Sequence, residues 1–255
     1  MSTTAEGTPN PEAPNPQLPI VQKVRVRYAK RGRLRFTSHR DFARAFERAI
    51  RRANVPIAFS SGFTPHPKIS YANAAPTGAA SEAEYLEVGL TRPVEPSELA
   101  RMLDASLPPG LDVVDAVAAG PGALADRLTA SEWTIELRGV DVDRVREAVD
   151  SYLAAEVVEV ERMTKRGLRT IDTRAAVRSL DVHRDDTSDA TCAILTVVVR
   201  HQTPSVRPDD VLAGLRRGGL ELDQSPIATR SAQGPLDEET GKVGDPLAHD
   251  RDAST

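Results

Sequence analysis

From Lys23 onward the spacing of apolar residues alternates between a period of two and a period near 3.6, and the order of these patterns runs twice. In the first run, Val24, Val26 and Tyr28 alternate with Arg25, Arg27 and Lys30. This predicts a half-buried strand, with a turn at Arg31-Gly32 before Leu34 and Phe36. A helix follows, with Ser38 as N-cap and Asp41 three residues on. Its apolar stripe is Phe42, Ala45, Phe46, Ala49, Ile50 and Ala53. Strands over 68–73 and 84–90, a helix over 96–107 and a strand over 111–117 complete the run. The second run predicts a strand over 133–137, a helix over 142–154 and strand segments over 157–163 and 170–180. A strand over 193–199, a helix over 208–216 and a short closing strand over 220–222 end it.

Two β-α-β-β-α-β runs predict an α+β chain of two tandem ferredoxin-like units, each an antiparallel sheet with both helices on one face. The units are expected over 21–120 and 121–230. Residues 1–20 hold five prolines among small polar residues, and 231–255 are rich in Gly, Pro and acids. Both ends are predicted to be disordered.

Several function classes are excluded at this level. No run of eighteen apolar residues occurs, so no membrane-spanning helix is expected, and the proline-rich start is not a signal peptide. A cytoplasmic protein is predicted. Cys192 is the single cysteine, which leaves no internal disulfide, Cys-rich metal site or iron–sulfur site. No phosphate loop, dinucleotide fingerprint, zinc-protease motif or nucleophile elbow is present. His183 and His201 have no partners at metal spacing. No metal and no cofactor are expected.

Charge supplies the positive signal. Residues 21–70 carry thirteen Lys and Arg against Asp41 and Glu47, a local net charge of +11 in a chain of net charge −4. Arg40, Arg44, Arg48, Arg51 and Arg52 fall opposite the apolar stripe of the first helix, a spacing suited to phosphate oxygens. The loop 59–68 adds Phe63, which can stack on a base, and His66 and Lys68 beside it. In the second run, Lys165, Arg166 and Arg169 form a basic hairpin that extends the same polyanion path. His39 and His66 are the candidates for acid–base catalysis, if the fold brings them together.

The run Phe36-Thr-Ser-His39-Arg-Asp41-Phe, the loop Phe59-Ser-Ser-Gly62-Phe63-Thr-Pro65-His66-Pro67-Lys68 and the later Ser81-Glu82-Ala-Glu84-Tyr85, Lys165-Arg166-Gly167 and Ile171-Asp172 resemble a bacterial family of unknown function. That family is known as radical-SAM-linked or radical-SAM-associated, and the likeness covers roughly residues 21–230. The resemblance implies a partner that is a cobalamin-binding radical-SAM enzyme, not a radical-SAM activity in this chain. A more distant likeness of topology connects the first half with the ferredoxin-like endoribonucleases that process CRISPR repeat RNA.

The expectation is therefore an accessory protein that binds RNA (transfer or ribosomal) and presents it to a radical-SAM modification enzyme, with no independent catalytic activity. Two alternatives stand beside it. One is a protein–protein subunit of that enzyme that makes no RNA contact. The other is a metal-independent endoribonuclease using His39 or His66.

Overall fold

A computed structural model describes residues 18–164, 167–185 and 191–252. The first half runs β1 (Gln22–Lys30), α1 (His39–Arg52), β2 (Ile69–Ala72), β3 (Ala80–Leu90), α2 (Pro96–Asp104) and β4 (Leu111–Ala118). Its strands lie in the order β4-β1-β3-β2, all neighbours antiparallel. The second half runs β5 (Ala130–Arg138), α3 (Val142–Ala154), β6 (Glu159–Thr164), β7 (Gly167–Asp172), β8 (Val177–Arg184), β9 (Cys192–Arg200), α4 (Pro208–Arg217) and β10 (Ile227–Gly234), with a short α5 (Ala248–Asp252) beyond. Its strands give β10-β5-β9-β8, while β6 and β7 pair only with each other.

The mixed α+β class agrees with the sequence pattern, but the sheets are not separate. β10 pairs parallel with the N-terminal end of β3, at Thr229–Ala80 and Arg230–Ser81. This joins both halves into one eight-stranded sheet. β3 is long enough for this, because its outer edge takes β2 along 85–88 and β10 at 80–81.

Both helix layers lie on one side of that sheet. Tyr28 of β1 stacks on Phe42 of α1 with ring centroids 4.3 Å apart, and Tyr28 is the cross-strand partner of Glu84. Glu84 pairs with Arg230 of β10, whose own cross-strand partner is Trp133 of β5. Trp133 belongs to the core packed under α3 and α4. Cross-strand partners share a face, so the chain of contacts carries one side of the sheet across the seam.

Each half keeps its own core on this side. In the first, Val24, Val26, Leu86, Val88 and Leu90 meet Phe42, Phe46, Ile50, Leu99 and Leu103. In the second, Ile135, Leu137, Leu195 and Val197 meet Val145, Val149, Val211 and Leu215.

The segment expected to be a disordered tail from 231 is instead structured through 252. β10 occupies the seam, and the predicted closing strand over 220–222 is a connection after α4. Beyond β10 the chain crosses the opposite side of the first half's sheet, where Leu247 is fully buried against Ala83, Tyr85, Val117, Leu124 and Leu128. Asp250 anchors it. Its carboxylate receives Arg25 Nη1 at 2.8 and 2.9 Å, Arg127 Nη1 at 2.9 Å and the Gly120 N–H at 3.0 Å. Gly120 has no room for a side chain, since a Cβ would lie 2.6 Å from Asp250 Oδ1. Burial opposes ionisation of Asp250, but these hydrogen bonds outweigh it and hold the carboxyl below its ordinary range. Arg251 adds ion pairs to Asp115 and Asp245. Residues 1–17 and 253–255, the greater part of the expected N-terminal tail and the last of the C-terminal one, lie outside the described residues.

Candidate nucleic-acid interface

The basic run divides into two populations. The cations of β1 and Arg31 just after it have partners within the fold. Arg25, 1% exposed, is committed to Asp250 and Glu87, and Lys23 meets Glu87 at 2.9 Å. Arg31 is held between Glu82 and Asp112, and the hydrogen bond with Glu82 raises its pKa. Lys30 is buried beside Glu84 and Arg230, and burial lowers its pKa. Arg25 is buried because the C-terminal segment covers its face of β1 while the helices cover the other.

The α1 cations behave differently. Ser38 caps the helix, its Oγ accepting from Asp41 N at 3.2 Å and donating to Asp41 Oδ2 at 2.7 Å. Asn54, at φ +51°, ends it in the left-handed conformation that asparagine tolerates. Between these limits Phe42, Phe46, Ala49 and Ile50 are buried, which rotates Arg40, Arg44, Arg48, Arg51 and Arg52 into solvent. Arg40, Arg44 and Arg48 have no carboxylate partner among the described residues. Arg51 has a 3.5 Å pair with Glu47 while remaining 73% exposed, and Arg52 donates to Ser106 O. Exposed i,i+4 pairs of this kind hold a guanidinium by only about 0.5 kcal/mol, so Arg51 stays available.

The loop 59–68 is a hairpin. Ser60 N donates to His66 O at 2.8 Å and Lys68 N to Ala58 O at 2.7 Å, with Phe59 bridging Pro67. Gly62, at φ +120°, permits the reversal, and Phe63 stands at the tip with 85% of its surface exposed. An apolar ring so presented contributes nothing to the core. Lys68 is half-buried at the base and His66 is exposed.

His39 and His66 are not joined by any contact among the described residues. His39 packs edge-on against Tyr71 of β2, centroids 4.9 Å apart, and His66 makes its hydrogen bonds through the backbone, including N–H to Ser60 Oγ at 3.0 Å. In the second half Arg169 is exposed on β7 opposite Arg162, whereas Lys165 and Arg166 lie outside the described residues. The β6–β7 hairpin is tied to α4 by Arg162 and Asp210 at 2.5 Å. It therefore belongs to the same side of the sheet as α1. Among the described residues no group of His, Cys, Asp and Glu is arranged to hold a metal ion.

One part of this surface was not read from the pattern. Gly32–Phe36 is a 3-10 turn, not a strand continuation, and it leaves Phe36 59% exposed with the Arg35 guanidinium 4.6 Å above its ring. Arg33 is also exposed there. Leu34 and Phe36 keep the period-two alternation with Arg33 and Arg35, so the pattern does not disclose the turn; Gly32, at φ +54°, is the one local signal of it.

The helix-sided fold and the segregated cations define an α+β protein with one strongly basic helix face. A family profile described as "Uncharacterized protein conserved in bacteria (DUF2344)" matches residues 23–208, and the chain belongs to that family. No curated protein sequence matches it. Among solved structures, a chain of a Cbf5-Nop10-Gar1 complex is similar at 14% identity and TM-score 0.42, covering 91% of this chain and 57% of its own length. An unknown protein from Galdieria sulphuraria is similar at 14% identity and TM-score 0.22, covering 82% of this chain and 98% of its own. DyPB from Rhodococcus jostii RHA1 follows at 10% identity and TM-score 0.21, covering 88% and 95%. The chain spans little more than half the length of the first of these. No described helix is long and apolar enough to cross a membrane.

Proposed function

We propose that this chain is a cytoplasmic RNA-binding accessory module that holds a transfer or ribosomal RNA for a radical-SAM, cobalamin-binding modification enzyme. The observation that carries the reading is the α1 face, where Arg40, Arg44 and Arg48 project into solvent with no carboxylate partner among the described residues. Arginine on a rigid helix meets phosphate oxygens in bidentate geometry, and phosphate contacts give affinity without sequence preference. Phe63 and the Arg35–Phe36 pair supply rings on which unstacked bases can lie. The strand orders β4-β1-β3-β2 and β10-β5-β9-β8 support reading each half as a ferredoxin-like unit. The radical-SAM partner rests on the motif likeness in residues 36–68. A cluster site has to come from that partner, since the lone Cys192 is buried with burial raising its thiol pKa.

Filter binding of purified protein to transfer RNA at two salt concentrations tests the reading. Affinity should fall steeply with salt, with a log–log slope of roughly −0.7 to −0.9 per phosphate contact. A salt-insensitive or unmeasurable affinity would leave the basic face for an acidic protein partner instead, which capture from nuclease-treated lysate would then detect.

A further inference from the structure

Among the described residues no extensive packing joins the helix layers of the two halves. Between them, on the helix side of the seam, lies a cavity of about 470 Å3. That volume falls within the roughly 300–1,000 Å3 of small-molecule sites. Its floor is Trp133 and Arg230, each at most 5% exposed. Arg230 is immobilised from several directions. It pairs with Glu84, donates to Asn73 O at 2.8 Å and to Ser81 Oγ at 3.4 Å, and its guanidinium lies 5.6 Å from the Trp133 ring centroid. One wall is Asn73, at φ +42°. The other is the turn before α4, where His201 is held by two hydrogen bonds, Nδ1 donating to Leu128 O at 2.7 Å and Nε2 meeting Ser131 Oγ at 2.8 Å.

What remains free to bind is specific in kind. The side-chain amide of Asn73, whose Nδ2 has only a long 3.5 Å contact to His201 Nδ1, and that of Gln202 offer paired donors and acceptors, and the exposed Arg207 offers a cation with no ion pair among the described residues. Charge on the floor is already matched within the fold, so the interior suits a neutral planar heterocycle and the mouth an anion. The cavity also adjoins the basic face. His39 at the start of α1 sits on Tyr71, and β2 runs from Tyr71 to the Asn73 wall, two residues or about 7 Å on.

We propose that this cavity receives one unstacked nucleobase of an RNA held on the α1 face, with Asn73 and Gln202 on its hydrogen-bonding edge and Arg207 on its phosphate. The inference rests on the RNA-binding reading above for the source of the base. Single-stranded RNA supplies such a base at little cost, because it need not leave a duplex.

Trp133 is the only tryptophan in the chain, so its emission reports this cavity alone. The experiment titrates the full chain with each of the four nucleoside 5′-monophosphates and with single-stranded RNA of about a dozen nucleotides, within the usual site sizes. The parent protein is compared with Ala74→Phe, which narrows the mouth from an exposed position. A second variant, Arg207→Ala, leaves the cavity open. Saturable change of Trp133 emission with monophosphates, weakened roughly tenfold or more in both variants, is expected. RNA that binds in filter assays without altering Trp133 emission, and equally well to Ala74→Phe, overturns the cavity inference while leaving the basic-face reading intact. Monophosphates that shift Trp133 emission when RNA does not bind support the cavity and overturn the basic-face reading. No response to either ligand overturns both.

Discussion

The helices α1 and α3 hold equivalent places in the two halves, each following the first strand of its unit, yet they face solvent in opposite ways. α1 presents Arg40, Arg44, Arg48, Arg51 and Arg52 against a single exposed acid, Asp41. α3 mixes Arg144 and Arg146 with Asp143, Glu147 and Asp150, and Arg146 pairs with Asp143. Their buried faces do the same job, with Phe42, Phe46 and Ile50 in one and Val145, Val149 and Tyr152 in the other. The fold thus requires an apolar stripe from both helices and leaves the outer face free. Sign segregation on α1 is a property added to the fold, which is why it points to a ligand. The sheet's reverse side differs too: the first half is covered there by the segment ending in Asp250, while β5 and β9 present half-exposed Thr134, Glu136 and Thr196.

The largest effect tests that covered side. Asp250→Ala leaves buried Arg25 with Glu87 alone in place of two carboxylates and also strips Arg127 of its partner, and should cost about 3 kcal/mol of unfolding free energy in urea titration. The same contact has a pH signature. Asp250 has a folded pKa below the unfolded value near 3.9, so its stabilisation is complete above that value and lost as pH falls through the folded pKa. Asp250→Asn should flatten the acid limb of the stability curve; an unchanged limb would show that another carboxylate governs it.

Next in size is the charge contrast itself. Replacing Arg40, Arg44 and Arg48 together with alanine should weaken RNA binding about a hundredfold near physiological salt and reduce the salt slope by roughly 2–3. Replacing Arg144 and Arg146 on α3 should change neither. Equal losses from the two helices would erase the distinction drawn between the halves.

Phe63→Ala sharpens it further. Loss of one stacked base predicts about 1–3 kcal/mol weaker RNA binding with no shift in melting temperature, since the ring is 85% exposed. A fall in melting temperature would mean that the ring supports the fold and not a ligand.

The smallest effect belongs to the seam. Burial lowers the His201 pKa below its ordinary 6.5. The unfolded chain therefore takes up the proton first as pH falls, so stability is full above 6.5 and declines toward the folded pKa. His201→Gln should remove that slope between pH 7 and 5 in thermal unfolding.

Much of the architecture was legible because it is local. Ser38 and the Phe42–Phe46–Ile50 stripe mark α1, and the helical spacing of Val145, Val149 and Tyr152 marks α3. The arginine face was readable for the same reason, being a helical spacing seen from its other side. The seam was not. In β10 the run Ile227-Ala-Thr-Arg-Ser-Ala-Gln-Gly has no alternation of large apolar residues, because its interior positions hold Arg230 and Gln233, whose side-chain nitrogens donate to Asn73 O and Ala83 O far away in sequence. Leu220 and Leu222 look more strand-like, which is why the pattern places a short last strand there within the unit 121–230. The C-terminal segment is polar by composition and ordered by an Arg25–Asp250 contact spanning 225 residues, which no window of local pattern contains. The seam cavity was hidden likewise, its walls coming from four separate stretches of chain.

The position of β10 in the chain has a consequence for how the molecule is made. Until Ile227–Gly234 has left the ribosome, β5 is an unprotected rim along 130–136, displaying a row of unanswered amide and carbonyl groups, and β3 is open at its N-terminal end beyond the stretch that β2 covers. Nascent chains short of that point can complete two helix-backed lobes but cannot weld them, and they resemble the sticky intermediates that chaperones shield. Premature termination shortly before residue 227 should therefore yield aggregates, not a working half.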